Sequence, residues 1–481
     1  MRLSSVAVLG GGPGGLYAAR LMKLRRPECA VTVYEQSPPS GTFGFGVGLA
    51  TATQRHLEKA DPVSLRAIVA DAWRHEMSMS VGDVTVTLPA GDLIAIGRAR
   101  LLEILRDQAL AAGVEIHDGT RVSAEELDAD LVIAADGVNS ATRERFGAEL
   151  GVRIDRHDSL YLWCGTDFAL PRAVFRPEVT GHGTFVAHAY PYQRDRSTFL
   201  VETDPGTWRR AGFDATTDRT APDQSDETAL DHLSDVFADT LRGHRLIGNR
   251  TRWLRFRTVT CETWHHGNVV LLGDAAHTAH YSIGSGTKLA MESGIALVEA
   301  LDAGPDLESA LTAYETARRP AVEHLQDTAR RSMRWWDEFP ERLDLPVEQL
   351  LIAYMTRAGK VSLERLARDA PAVVAAGLAR YDGGPVERLP DDVVGWVLDR
   401  PLDADGQHWP TRAVPCGGLH ESEKVTALDA GTTRESALAA FDAAERVRRT
   451  GRLVGVRVPD GLRGLAAEAL AGGRVDLVEL V

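Results

Sequence analysis

Three glycine-bearing turns carry residues whose types and spacing suit the holding of a phosphate-bearing dinucleotide. In A-V-L-G-G-G-P-G-G-L, Gly10, Gly12 and Gly15 stand in the spacing G-x-G-x-x-G. Glycine admits positive φ and lets the backbone approach a pyrophosphate, whose charge then meets the free N–H groups and positive dipole end of a helix. About twenty residues further on stands Glu35, where a carboxylate can accept both ribose hydroxyls of an adenosine. These residues leave FAD and NAD open as alternatives. In D-G-V-N-S-A-T-R, Asp136 and Gly137 end an apolar run, with Ser140 and Arg143 just beyond. In L-L-G-D-A-A-H-T-A-H-Y-S-I-G-S-G-T-K, Gly273 and Asp274 end another, and Gly284, Ser285 and Gly286 open a helical pattern.

The surrounding pattern names the elements that must position these residues. Ser5-Val6-Ala7-Val8-Leu9 reads as a strand and runs at once into a Leu/Ala-rich helical pattern. Val31-Thr32-Val33-Tyr34 is the next strand, and a crossover between parallel strands needs the helix. Residues 41–50 read as a glycine-rich loop. A helix headed by Arg98 carries Leu101 and Leu105 on one face and stops at Gly113. From about residue 155 to 260 the chain alternates like antiparallel strands, with a turn at Gln193 to Arg196. Ser309 to about Arg380 is helical, Tyr381 to Pro410 reads as loop and linker, and the tail reads as helix, strand, helix, strand. The expected division is a discontinuous nucleotide-binding domain over 1–154 and 262–325, a β-rich substrate domain over 155–261, a helical segment over 326–380, and a C-terminal extension with linker over 381–481.

Composition bounds the function. The 481 residues carry a net charge of −14, which argues against bulk nucleic-acid binding and leaves room for a local basic pocket for an anionic ligand. At 44% hydrophobic and 25% charged, the chain has ordinary soluble composition. No apolar run nears the roughly twenty residues that cross a bilayer, and the N-terminus lacks a signal-like segment. The expectation is a cytoplasmic protein without a membrane partner. Cys29, Cys164, Cys261 and Cys416 are far apart, which predicts buried thiols and neither a disulfide framework nor a metal site.

The three turns, in this order and at these separations, resemble the group A flavoprotein monooxygenases. The resemblance implies an α/β fold with a Rossmann-like FAD-binding domain of the p-hydroxybenzoate hydroxylase type, an inserted β-sheet substrate domain and a C-terminal α/β extension. It assigns Gly10, Gly12, Gly15 and Glu35 to the FAD adenosine and pyrophosphate, Arg98 to the phosphates, and Asp136 and Gly137 to FAD and the nicotinamide. Gly273 and Asp274 go to the ribityl chain. Y-E-T-A-R-R-P, from Tyr314, fits a helix common in that family. F-G-F-G-V-G-L-A, I-G-R-A-R-L-L-E-I-L, G-D-A-A-H-T-A-H-Y-S-I-G-S-G-T-K-L-A-M-E and D-T-A-R-R-S-M-R-W-W are similar to the branch that hydroxylates aromatic CoA thioesters, over about residues 1–375. Two departures stand out: the family's common proline is absent near Tyr281-Ser282, and Ser293 occupies a position that is acidic in many relatives.

What the resemblance implies is an NADH- or NADPH-consuming enzyme that oxygenates the ring of an aryl-CoA through a C4a-hydroperoxyflavin, with O2 as co-substrate. Gly284, Ser285 and Gly286 would face the flavin's pyrimidine edge, where oriented N–H groups stabilise negative charge. Activating a phenol or aniline calls for a base, and His280, Tyr281, His188 and Tyr190 are the candidates. The plainer reading is that His188 is a hydrogen-bonded core histidine and that Tyr281 packs. For the CoA phosphates and adenine, Arg330, Arg331, Arg334 and Trp335 are candidates. A solvated basic face with packing tryptophans explains the same spacing. The alternatives are epoxidation, dearomatisation or another atypical oxygenation of a CoA-bound ring, hydroxylation of a phenol without CoA, or a non-catalytic dinucleotide-dependent regulator. The oligomeric state is open, with a homodimer as one option.

Overall fold

The structure, a computed structural model, describes residues 1–38, 44–419 and 423–481. Contacts divide the chain into two compact units, one of Met1–Glu76 with Ala90–Met333 and one of Met77–Pro89 with Arg334–Val481.

The first unit is built on two sheets. The nucleotide sheet has the order His265–His266, Val269–Leu271, Leu131–Ala134, Ser5–Leu9, Ala30–Glu35, Glu115–Asp118, parallel throughout except at the His265–His266 edge. Its central strands are apolar on both faces because helices cover both, and Val8, Ile133 and Val270 are fully buried. Helix Pro13–Arg25 packs on helix Gly286–Ala303, where Gly294 lies against Ala18 and lets the two backbones approach.

The inserted sheet is antiparallel and contains Val152–Thr166, Ala173–Thr180, Gly183–Gln193, Arg196–Thr203, Leu246–Ile247 and Trp253–Cys261. One face, with Leu162, Phe185, Phe199 and Val201, is sealed by Phe213, Leu230, Leu233 and Phe237 of short helices between residues 205 and 241. The opposite face carries Tyr161, Trp163, His188, Tyr190 and Glu202. The two sheets, expected as separate domains, share one compact unit. The physical reason is the length of the connecting strands, since Val152–Thr166 pairs with Trp253–Cys261 all the way to Val152 opposite Cys261.

The second unit holds the hairpin of Met77–Val81 and Val84–Leu88, which packs on helices Val347–Thr356 and Pro371–Asp382. Its tail forms an all-parallel sheet in the order Ala413–Val414, Leu477–Leu480, Leu453–Val458, Val425–Asp429, with helices Arg434–Arg448 and Arg463–Ala471. Helix, strand, helix, strand was the expectation there.

Two loop expectations are corrected. Within 41–50, residues 41–43 lie outside the described residues, but Gly46–Leu49 is a strand paired with Ile94–Gly97. A Cβ at Gly46 would lie 2.7 Å from the Tyr192 ring, so the glycine serves strand packing. The expected linker contains helix Val393–Leu398 and a hairpin of Leu402–Ala404 and Gln407–Trp409. Its turn, Asp405-Gly406, has φ of 51° and 72°, the left-handed pair that suits a two-residue hairpin.

Candidate active site

All three turns lie at the carboxyl edge of four adjacent parallel strands. Gly10 follows Ser5–Leu9, Glu35 ends Ala30–Glu35, Asp136 follows Leu131–Ala134, and Gly273 follows Val269–Leu271. Three strand spacings of about 4.8 Å set the outermost of these about 14 Å apart, a breadth over which an extended dinucleotide lies. The edge is tied together by backbone hydrogen bonds from Gly10 to Tyr34 (2.8 Å), Ala135 to Leu9 (2.8 Å) and Leu272 to Ala134 (2.9 Å).

The glycine turn is enforced sterically. Gly10 has φ +104°, and a Cβ there would stand 2.4 Å from the Ala135 carbonyl oxygen; one at Gly15 would stand 2.1 Å from the Gly10 carbonyl oxygen. Gly12, the N-cap of helix Pro13–Arg25, faces open space. Glu35 accepts from the Gly11 N–H and the Ser37 N–H, both at 2.7 Å, one on each carboxylate oxygen. The carboxylate is thereby fixed at the turn, and each oxygen keeps a lone pair for a ribose hydroxyl.

Arg143 joins the second turn to the third. Its buried guanidinium donates to the carbonyls of Val138 (2.6 Å), Ala275 (2.9 Å) and Asp274 (3.2 Å). Asp136 accepts from the Thr142 N–H and hydroxyl through one oxygen, while its other oxygen is buried with no donor among the described residues. Gly137 has φ +79° and open space before it. Asp274 and Arg98 sit deep in the unit yet keep surface open, as groups lining a cleft do. Burial pushes the Asp274 carboxyl up, opposed by Arg98 and Arg143, and burial pushes the Arg98 guanidinium down, opposed by Asp274. The pair is poised for a polar ligand that replaces the missing solvent.

Gly284 and Gly286 also face open space among the described residues, and Ser285, N-cap of the 18-residue helix Gly286–Ala303, has a buried Oγ with no partner among those residues. The positive end of this helix therefore has no side-chain cap among the described residues. The open fronts of Gly12, Gly137, Gly284 and Gly286, together with the two orphaned oxygens, fit an FAD spanning the strand edge.

Beside that helix start lies a second polar group. Glu202 is 7% exposed and lies 3.1 Å from His188 Nε2, with the Tyr281 hydroxyl as a further bonding neighbour. Tyr281 packs its ring on His280 (4.0 Å between centroids) and Tyr161 (4.6 Å), and Phe256 stands edge-on to His280 at 4.9 Å. Burial pushes the Tyr161 phenol up to about 12 and the His280 imidazole down to about 4. His280 Nδ1 accepts from the Ser282 N–H at 3.3 Å, which puts its remaining proton on Nε2. At neutral pH it is an uncharged donor, and the nitrogen a base would use is already engaged. Tyr190 stands apart from these three, its hydroxyl donating to the Gly46 carbonyl at 2.8 Å, with Phe45 and Tyr192 in the same apolar cluster. Glu202 was not legible as a site residue in the sequence.

Ser293 lies behind the third turn, buried, 3.4 Å from His277 Nε2 and accepting from Arg318 at 3.3 Å. The carboxylate there comes from Glu292, paired with Arg318 (3.0 Å) and His56 (2.9 Å). Arg330 is exposed and paired with Asp327 at 2.6 Å; Arg331 is half-buried. In the second unit Arg334 is 53% exposed, 4.0 Å from Asp442. Trp335 is 4% exposed and enclosed by Trp336, Phe339, Tyr354 and the Arg342 guanidinium. The expectation that its ring stacks on adenine is corrected, because its faces are taken by core partners. Among the described residues no cluster of metal-ligating side chains occurs, and no helix is long and apolar enough to cross a membrane.

A parallel nucleotide sheet with three converging turns and an uncapped helix start defines a flavin-dependent oxidoreductase. The chain belongs to the FAD binding domain family, whose model matches residues 4–329. It is 38% identical to salicyloyl-CoA 5-hydroxylase of Streptomyces sp over 96% of this chain and 92% of that one. It is 40% identical to 3-hydroxy-4-methyl-anthranilyl-[aryl-carrier protein] 5-monooxygenase of Streptosporangium sibiricum over 77% of this chain and 98% of that one. Among solved structures, 2-methyl-3-hydroxypyridine-5-carboxylic acid oxygenase shares the fold, with a TM-score of 0.58 at 19% identity over 75% of this chain and 98% of that one.

Proposed function

We propose that this flavin-dependent monooxygenase hydroxylates the aromatic ring of an aryl group carried as a CoA thioester, using NADH or NADPH and O2. The observation that carries the reading is the uncapped start of helix Gly286–Ala303, only a few residues from Tyr281, which joins the FAD cradle to a sheltered sheet face of aromatic and acidic side chains. The names of the two curated relatives support an aryl thioester, one on CoA and one on a carrier protein. Bound FAD supplies hydride acceptance from the nicotinamide and activation of O2. Glu35 would hold the adenosine ribose, Arg98 and Asp274 would bind along the cofactor chain, and the N–H groups at Gly286 would favour a negatively charged group beside them. Tyr161, Tyr281 and Phe256 exclude water, which protects the oxygenating step from wasteful loss of peroxide. His280 offers an Nε2–H donor. Arg330 and Arg331 are the first unit's candidates for the CoA phosphates. The reading sets the enzyme in the cytoplasm, where its reductant and CoA thioesters are both at hand.

The test is NAD(P)H oxidation by the yellow holoenzyme with salicyloyl-, benzoyl-, anthraniloyl- and phenylacetyl-CoA, with product mass measured. Stimulation together with a 16-dalton gain is expected. Stimulation by free phenolic acids alone would overturn the CoA assignment, and purified protein that takes up no FAD would overturn the whole reading. A product whose mass or spectrum shows a lost aromatic ring would favour the second reading, an atypical oxygenation.

A further inference from the structure

Strand Arg196–Thr203 is buried along nearly its whole length, and Glu202 is its only acidic residue. Register places Glu202 opposite Val186 and Tyr161, on the face that also bears His188, the face turned away from the sealed aromatic core. One carboxylate oxygen stands 3.1 Å from His188 Nε2. The other, Oε1, is buried and has no hydrogen-bond donor among the described residues. Leaving a carboxylate oxygen dry and unmatched is costly, and native interiors rarely tolerate it unless something else supplies the donor. His188, His280 and Tyr281 together hold the carboxyl below its usual range despite burial, so the acceptor is an anion and a strong one. The surrounding rings, Tyr161, Tyr281, Phe175 and Phe256, suit a flat aromatic ligand.

We propose that Glu202 is the specificity-determining residue for the ring: its unmatched oxygen accepts a hydrogen bond from a hydroxyl or amino group on the aryl substrate, while His188 and Tyr281 fix the carboxylate. This rests on the aryl-substrate reading above and narrows it to rings that carry such a donor. An analogue lacking the donor leaves one buried carboxylate oxygen unmatched, which is a stronger basis for rejection than a missing methylene. Glu202 is thus a binding group that selects the ring.

The experiment measures equilibrium binding to the FAD-loaded enzyme by the change in flavin absorbance or fluorescence, without reductant. The ligands are salicyloyl-, anthraniloyl-, 2-methoxybenzoyl- and benzoyl-CoA, with salicylate and benzoate as free acids. The wild type is expected to hold hydroxyl and amino rings about 10- to 100-fold more tightly than the methoxy and unsubstituted ones. In Glu202→Leu that ratio should fall to about threefold or less, chiefly by weaker binding of the donor-bearing rings, and the isosteric Glu202→Gln, with its weaker acceptor, should lie between. Melting and FAD content are measured alongside, and if the leucine variant does not fold the glutamine variant decides. The proposal is overturned if the ratio survives both substitutions, or if every ring loses affinity equally. If thioesters do not bind but free acids do, the CoA reading falls and the same ratio, salicylate against benzoate, decides the role of Glu202. If no aryl ligand binds, both fall.

Discussion

Replacing Arg143 with lysine tests whether the second and third turns act as one cradle. The guanidinium fork meets three carbonyls at 2.6, 2.9 and 3.2 Å from a buried position. Lysine keeps the charge but brings it to one point, so at least one and more often two of these contacts are lost. Hydrogen bonds to a charged group are each worth about 1.5–3 kcal/mol net, giving a loss of about 3 kcal/mol. In a unit of this size 1 kcal/mol moves the midpoint by about 2 °C, so the variant should melt about 6 °C lower. If about 1–2 kcal/mol of this appears as misplacement of Asp274 against Gly137, FAD affinity falls about 5- to 30-fold. Calorimetry of FAD-free and FAD-loaded protein, with a titration followed by flavin fluorescence, measures both quantities. A midpoint within about 1 °C of wild type together with unchanged FAD affinity would refute the coupling of the two turns.

The other expectations are more direct. Gly15→Ala should yield colourless protein, since its Cβ would sit 2.1 Å from the Gly10 carbonyl oxygen, and absorbance at the flavin band checks it. Trp335→Ala should lower stability by about 3–5 kcal/mol in denaturant melts while FAD content stays the same. Arg334→Ala, at a side chain 53% exposed, should cost at most about 0.5 kcal/mol of stability in the same melts. Glu468 is buried in helix Arg463–Ala471, and burial pushes its carboxyl up from 4.5 to about 8. The native state therefore keeps a proton that the unfolded chain releases, so stability declines as pH rises from about 4.5 to 8 and is level beyond. Glu468→Gln should flatten that decline, with a melting midpoint above wild type at pH 8.5 and near it at pH 4.5.

The convergence of the three turns on one sheet edge is legible because its signals are local. Glycine spacing, strand-ending acids and a helix start are read within about twenty residues, and the parallel sheet then brings them to one edge. The hairpin at Asp405-Gly406 was equally local and was overlooked because the stretch around it is rich in proline and glycine. Glu202 was hidden for a different reason. A plain hairpin pairing Gln193 with Arg196 puts Glu202 opposite Ala187, on the face away from His188. A bulge between Pro191 and Gln193 shifts the register by one and pairs Glu202 with Val186 instead. One extra residue exchanges the faces of a strand, and alternation alone does not reveal it. Trp335 misled in the opposite direction: arginines beside tryptophans on a helix look like a ligand face, while the partners that enclose the ring, Phe339 and Tyr354, come from beyond the motif.

The hairpin Met77–Val81/Val84–Leu88 has a bearing on how the chain is made. It leaves the ribosome more than 250 residues before helices Val347–Thr356 and Pro371–Asp382, on which it packs. During that interval the buried Met79 and Leu88 side of the hairpin waits without its helical cover. Synthesis cut short after Met333 would leave that side uncovered, so nascent or truncated chains expose it until the tail emerges. Expression of the N-terminal two thirds by itself should for that reason give aggregates, and excising residues 77–89 should improve its yield.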